Sequence, residues 1–132
     1  MTKTTTPLPT DLELEIMQVV WALGRCTVRQ VHEALLGRRK VAYTTVMTVM
    51  TILEQKGHLT REKDGRAYLY RPARSKGRVV SEIVEDFLSR VFQGSAKPLV
   101  LRLVEDRKIT EGDLKEIAKA IKEAGHDRER RR

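Results

Sequence analysis

The chain has 132 residues, room for one compact domain or for a small module with a helical appendage. Its apolar fraction of 40% supports a modest core, and no apolar run approaches the roughly 18–20 residues that a membrane span needs. The net charge of +8 is unevenly placed: residues 1–78 carry 14 Lys/Arg against 7 Asp/Glu, whereas residues 79–132 carry 12 against 11. A basic excess confined to one part of a chain suits a polyanion-binding surface. Charge alone fits solubility equally well, so the residue pattern has to decide. The opening MTKTTTPLPT has no apolar segment of the kind a secretory signal needs. Cys26 is the single cysteine, so neither an intrachain disulfide nor a thiolate metal site is expected. These features together predict a cytoplasmic protein.

Residues 1–9 are Thr/Pro-rich and read as a flexible arm. Thr10 with Glu13 forms a capping box, and Leu14, Met17, Val20 and Trp21 follow at helical spacing, which predicts a first helix from about Asp11 to Leu23, stopped by Gly24. Thr27 caps a second helix with Val28, Val31, Ala34 and Leu35 on one face. Gly37 ends it, and Arg38, Arg39 and Lys40 form a basic link. In the third helix Val46, Val49, Met50 and Leu53 make a core-facing stripe, while Thr44, Thr48, Thr51 and Gln55 fall on a different stripe of the same helix. Threonine is a mediocre helix former, and a solvated face is ordinarily Glu and Lys. Small hydrogen-bonding side chains without an acid suit close approach to a negatively charged groove. Asp64-Gly65, between two short β-prone runs, predicts a hairpin closed by a primed turn. Tyr68 and Tyr70 share one face of its second strand, and Arg61, Lys63 and Arg66 gather toward its tip. A basic hairpin that follows a third helix is the wing of a winged helix.

Beyond Pro72 a basic connector leads to three amphipathic segments, expected at 79–92, 96–106 and 111–124. Their apolar stripes comprise Ile83, Val84, Phe87, Leu88 and Val91, then Leu99, Val100 and Leu103, then Leu114, Ile117 and Ile121. They are too short to close much core within one chain, and pairing two copies about a two-fold axis would bury them. The arginine-rich end, 126–132, reads as a disordered tail.

Catalysis needs a base, a nucleophile or a metal brought together. His32, His58 and His126 are scattered, and no phosphate loop or metal-ligand spacing is present, so neither an enzyme nor a cofactor is expected. DNA binding is coherent instead. Tyr43, Thr44, Thr45, Met47, Thr48 and Thr51 would read base edges, with Tyr43 and Met47 placed for thymine methyls. Arg38, Arg39, Lys40, Arg61, Lys63 and Arg66 would neutralise phosphates and fix the register. A non-specific, nucleoid-type basic protein is the alternative, distinguished by a salt dependence without a specificity ratio. A protein-binding adaptor would carry an acidic or apolar third helix, and this one is neither.

The segments TDLELEIMQVVW (10–21), TVRQVHEAL (27–35), AYTTV (42–46), LEQKG (53–57) and DGRAYLY (64–70) resemble the penicillinase-repressor family of the BlaI/MecI/CopY type. The resemblance runs from about Leu8 to Ala124. It implies a mainly α protein with a small β wing: a winged helix-turn-helix at 10–73 and a helical dimerisation region at 74–125. It also implies a homodimeric repressor on a dyad-symmetric operator, with Thr44, Thr45, Thr48 and Arg66 in the reading surface. Candidate targets are β-lactamase or stress- and envelope-related genes. Some relatives carry Lys and Arg where this chain has Thr44 and Ile52, so their operators do not transfer. Antibiotic-sensing relatives are cut at an Asn-Phe bond under a membrane sensor-protease; the aligned pair here is Arg102-Leu103, within VLRLV (100–104). Copper-responsive relatives end in paired cysteines, which this chain lacks.

Overall fold

A computed structural model describes residues 7–130, with side chains up to residue 127. Its elements are α1 (Asp11–Leu23), α2 (Val28–Leu35), α3 (Tyr43–Gln55), β1 (Leu59–Asp64), β2 (Ala67–Pro72), α4 (Lys76–Val91), α5 (Ala96–Glu105) and α6 (Glu111–Arg130). The fold is therefore mainly helical with one two-stranded antiparallel sheet. The division into two compact units falls between Val84 and Glu85.

In the first unit local chemistry sets each boundary. The Thr10 hydroxyl accepts from the Glu13 N–H at 3.3 Å, while the Glu13 carboxylate accepts from the Thr10 N–H at 2.9 Å. Gly24, at φ 83°, closes α1 in a conformation that costs other residues. Thr27 and Gln30 repeat the reciprocal cap at α2. Strands β1 and β2 pair from Leu59↔Pro72 to Asp64↔Ala67, leaving Gly65-Arg66 as a two-residue loop. Of the two loop residues Gly65 has positive φ (64°) and Arg66 does not, the pattern of a II′ rather than a I′ turn.

The core of this unit joins Ile16, Met17 and Val20 of α1, Val31 and Leu35 of α2, and Val46, Met50 and Leu53 of α3, all at 0% exposure. Leu59 and Tyr70 bring the wing into it. Two side chains expected inside lie further out: Leu14 is half-buried and Ala34 exposed, while Ile16 and Val19 are buried. On α1 the buried Glu13, Ile16, Met17 and Val20 follow i, i+3, i+4, i+7 spacing, so the core-facing stripe is turned by about one position from the expected one. Backbone bonds between Cys26 and Tyr70, at 2.9 and 2.7 Å, add an antiparallel bridge on the free edge of β2.

Three sequence expectations change. The expected flexible arm is anchored where it is described: the Pro7 carbonyl accepts from Nε2 of the fully buried His58 at 2.7 Å. Residues 1–6 of that arm lie outside the described residues. Helix α4 begins at Lys76, where the Ser75 hydroxyl accepts from the Arg78 N–H. Its first turns belong to the first unit, because Val79 is buried, the Trp21 indole donates to the Arg74 carbonyl at 3.0 Å and Arg74 pairs with Glu82. The first unit thus continues past the boundary expected at residue 73. Finally, α6 runs through Gly125 to Arg130, where a disordered tail was expected. One glycine costs about 1 kcal/mol in a helix, which the Ala, Glu and Lys around it offset. Residues 131–132 lie outside the described residues.

In the second unit Thr110 and Asp113 cap α6 reciprocally at 2.9 and 3.0 Å. Phe87 and Phe92 meet edge-to-face, with ring centroids 5.8 Å apart. No residue of α5 is buried.

Candidate nucleic-acid interface

Helix α3 lies on the core through Val46, Met50 and Leu53, which turns the opposite side outward. Thr44, Thr45, Thr48 and Gln55 are exposed there. Ala42 at the helix start offers no side-chain cap, so the first-turn N–H groups beside Thr44 and Thr45 are open to an external acceptor. Thr51 differs, because its hydroxyl donates to the Met47 carbonyl at 3.0 Å and keeps only its acceptor capacity.

Between α3 and the wing runs a groove of about 490 Å³. Tyr43, Met47 and Thr51 form its helical wall, Arg61, Arg66, Ala67, Tyr68 and Tyr70 the wing wall, and Thr27, Val28 and Arg29 of α2 close one end. Three arginines and no acid line it. The Arg61 guanidinium stacks over the Tyr68 ring at 4.3 Å from its centroid. The neighbouring Tyr70 shifts the Arg61 pKa further up, and the guanidinium is a permanent cation in any case. His32 donates from Nε2 to the Val41 carbonyl at 2.8 Å and meets the Tyr43 ring edge-on, which sets the tilt of Tyr43.

The groove thus gathers Tyr43, Met47, Thr51, Arg61 and Arg66 from the residues selected by sequence. Thr44, Thr45 and Thr48 stand on the adjoining exposed face, and Lys63 is exposed on β1, opposite Tyr68. The basic link is not brought to the groove. Arg38 lines a separate concavity with Leu23 and Ala34, Arg39 pairs with Glu15 at 2.8 Å, and Lys40 is exposed. Arg29 is the residue sequence reading missed; its signal was a cation one residue inside the Thr27-capped start of α2. Cys26 is fully buried and burial pushes its thiol pKa up to about 11, which makes it a structural residue at the wing anchor.

The apolar residues selected on α4, α5 and α6 form exposed or half-buried stripes. Val84, Phe87, Val91, Leu114, Ile117 and Ile121 are exposed, and Ile83, Leu88, Leu99, Val100 and Leu103 half-buried. Leu101, which sequence reading passed over, is also exposed. Arg102 and Leu103 lie inside α5, where Arg102 pairs with Asp106 at 3.2 Å. No helix among the described residues is long and apolar enough to cross a membrane.

Three helices, a wing anchored to the first interhelical loop and a cationic groove beside an outward-facing α3 define a winged helix-turn-helix of the DNA-binding class. The family model described as penicillinase repressor matches residues 9–123, and the chain belongs to the penicillinase-repressor family. It is 39% identical over 118 residues to the transcriptional regulator BlaI of Mycobacterium tuberculosis, covering 88% of this chain and 86% of that protein. It is 26% identical over 117 residues to the penicillinase repressor of Bacillus licheniformis, covering 89% and 91%. The crystal structure of the transcriptional regulator Tm0710 from Thermotoga maritima is similar in fold, with a TM-score of 0.50 at 24% identity over 93% of this chain and 78% of that one.

Proposed function

We propose that this chain is a sequence-specific transcriptional repressor that binds a dyad-symmetric operator as a homodimer. The observation that carries the reading is the acid-free groove with Arg29, Arg61 and Arg66 on its walls, beside the exposed Thr44 and Thr48 of α3. The α3 face enters the major groove and reads base edges, while the arginines hold phosphates. One short helix reads too few base pairs to be selective, so two copies are needed. The exposed apolar residues on α4, α5 and α6, Val84, Phe87, Val91, Leu101, Leu114, Ile117 and Ile121, support pairing, since each helix carries several large apolar side chains that a second copy would cover. A membrane sensor-protease acting at Arg102-Leu103 would first have to unwind α5, because a bond inside a helix is not presented as an extended strand.

A mobility-shift titration with promoter DNA from the chain's own locus, over a salt series, tests this. Sequence preference together with a falling log K is expected; binding indifferent to sequence favours the nucleoid-type alternative.

A further inference from the structure

The chain holds four methionines and one cysteine, and Met1 lies outside the described residues. Met17 and Met50 are at 0% exposure in the core, whereas Met47 is 42% exposed. Cys26 is also fully buried, and with a thiol pKa near 11 it is neutral at physiological pH. Among the described residues Met47 is therefore the sulfur that an oxidant in solution can reach. Its position is specific. Tyr43 stands one turn before it and Thr51 one turn after it on α3, and both line the groove with Met47 and with Tyr68 of the facing strand.

We propose that Met47 is an oxidation site through which oxidants of the hydroperoxide class release the chain from DNA; the functional half of this rests on the repressor reading above. A thioether lone pair attacks one peroxide oxygen, forming the S–O bond as the O–O bond breaks. Sulfur gives up two electrons, and the departing oxygen collects a proton and leaves as water or alcohol. The product sulfoxide replaces a soft apolar contact with a dipole whose oxygen only accepts hydrogen bonds. On a face that meets base edges and phosphate oxygens, that adds an acceptor without a donor and removes the contact available to a thymine methyl. Methionine sulfoxide reductases reverse the change, so the site can cycle.

The test treats the full chain with hydrogen peroxide and follows peptide mass and anisotropy of labelled promoter DNA from its locus. Met47 is expected to gain one oxygen well before Met17 and Met50, with affinity falling about tenfold, the size of one lost base contact. Met47→Leu, compared with its own untreated sample, is expected to show no such fall, and reductase treatment to restore the native chain. Full oxidation of Met47 with unchanged affinity overturns the release. Equal oxidation of Met47, Met17 and Met50 overturns the site itself, whatever the DNA does. An untreated chain without sequence preference overturns the repressor reading and the release together, while the order of oxidation still decides the site.

Discussion

Arg61 and Tyr68 are diagonal neighbours across the wing, with the guanidinium carbon 4.3 Å from the ring centroid. In the strand register Arg61 faces Tyr70 and Lys63 faces Tyr68, so the stack runs along the sheet face rather than straight across it. It holds a long, otherwise mobile cation against the groove wall. Arg61→Ala and Tyr68→Leu should each weaken DNA binding, and the double variant should lose less than the two losses added together. A double-mutant cycle read by anisotropy checks it; strict additivity would show that the stack does not position Arg61.

Arg66 and Thr48 should separate grip from reading. Arg66→Ala removes a groove cation, so affinity falls on every sequence and the slope of log K against log salt becomes shallower by about one unit. Thr48→Ala leaves the charge alone and should change which base is preferred at one position. Selection from a randomised half-site, run with both variants, distinguishes the two.

Glu13 is 5% exposed, and both its oxygens lie 2.9 Å from Lys56 Nζ. Burial raises its pKa, but the Thr10 N–H and the Lys56 ammonium outweigh that and hold it below the ordinary value of 4.5. A carboxyl that is more acidic folded than unfolded stabilises the fold above its unfolded pKa and loses that contribution as pH falls through its folded one. Glu13→Gln should therefore cost on the order of 1–3 kcal/mol at neutral pH. The gap between the two proteins should narrow steadily below about pH 4.5, as urea midpoints across pH would record.

Gly65 has φ 64° with open space around its Cα, so only the backbone conformation resists a side chain there. Gly65→Ala should destabilise by about 1–2 kcal/mol, with Gly65→Asn nearer to wild type. Thermal unfolding followed by circular dichroism reads the difference.

For assembly, Ile121 is 67% exposed on α6 and Ile117 lies one turn before it. The full chain should sediment at twice its 15.2 kDa mass, and Ile117→Asp should shift it toward the monomer with weaker operator binding. A wild-type chain that sediments as a monomer at micromolar concentration would contradict the proposed dimer.

What could be read from residues alone was what local chemistry controls. Thr10–Glu13 and Thr27 carry their own boundaries, and Asp64-Gly65 marks the hairpin to within one residue of the Gly65-Arg66 loop, because a cap or a turn involves only near neighbours. Val46, Met50 and Leu53 show their period for the same reason. The groove was half legible. Thr44, Thr48 and Arg66 follow from helix face and hairpin, but Arg29 enters only once α2 is docked against the wing. Arg38 and Arg39 look equivalent to Arg61 in a string of letters. Whether a cation meets the groove or a carboxylate such as Glu15 is a tertiary matter. The same holds for α4, whose start belongs to the first unit because Trp21, distant in sequence, hydrogen-bonds the Arg74 carbonyl two residues ahead of it.

Strand β2 is bonded along both edges, by β1 on one side and at Cys26 on the other. A wing fastened in this way has little freedom to tilt and follow a wide or a narrow duplex. On such a wing the duplex would do the adjusting, at a cost that depends on how easily each base step bends or twists. Half-sites would then be ranked partly by stiffness, at base pairs that no side chain touches, and loosening the Cys26–Tyr70 bridge would flatten that ranking.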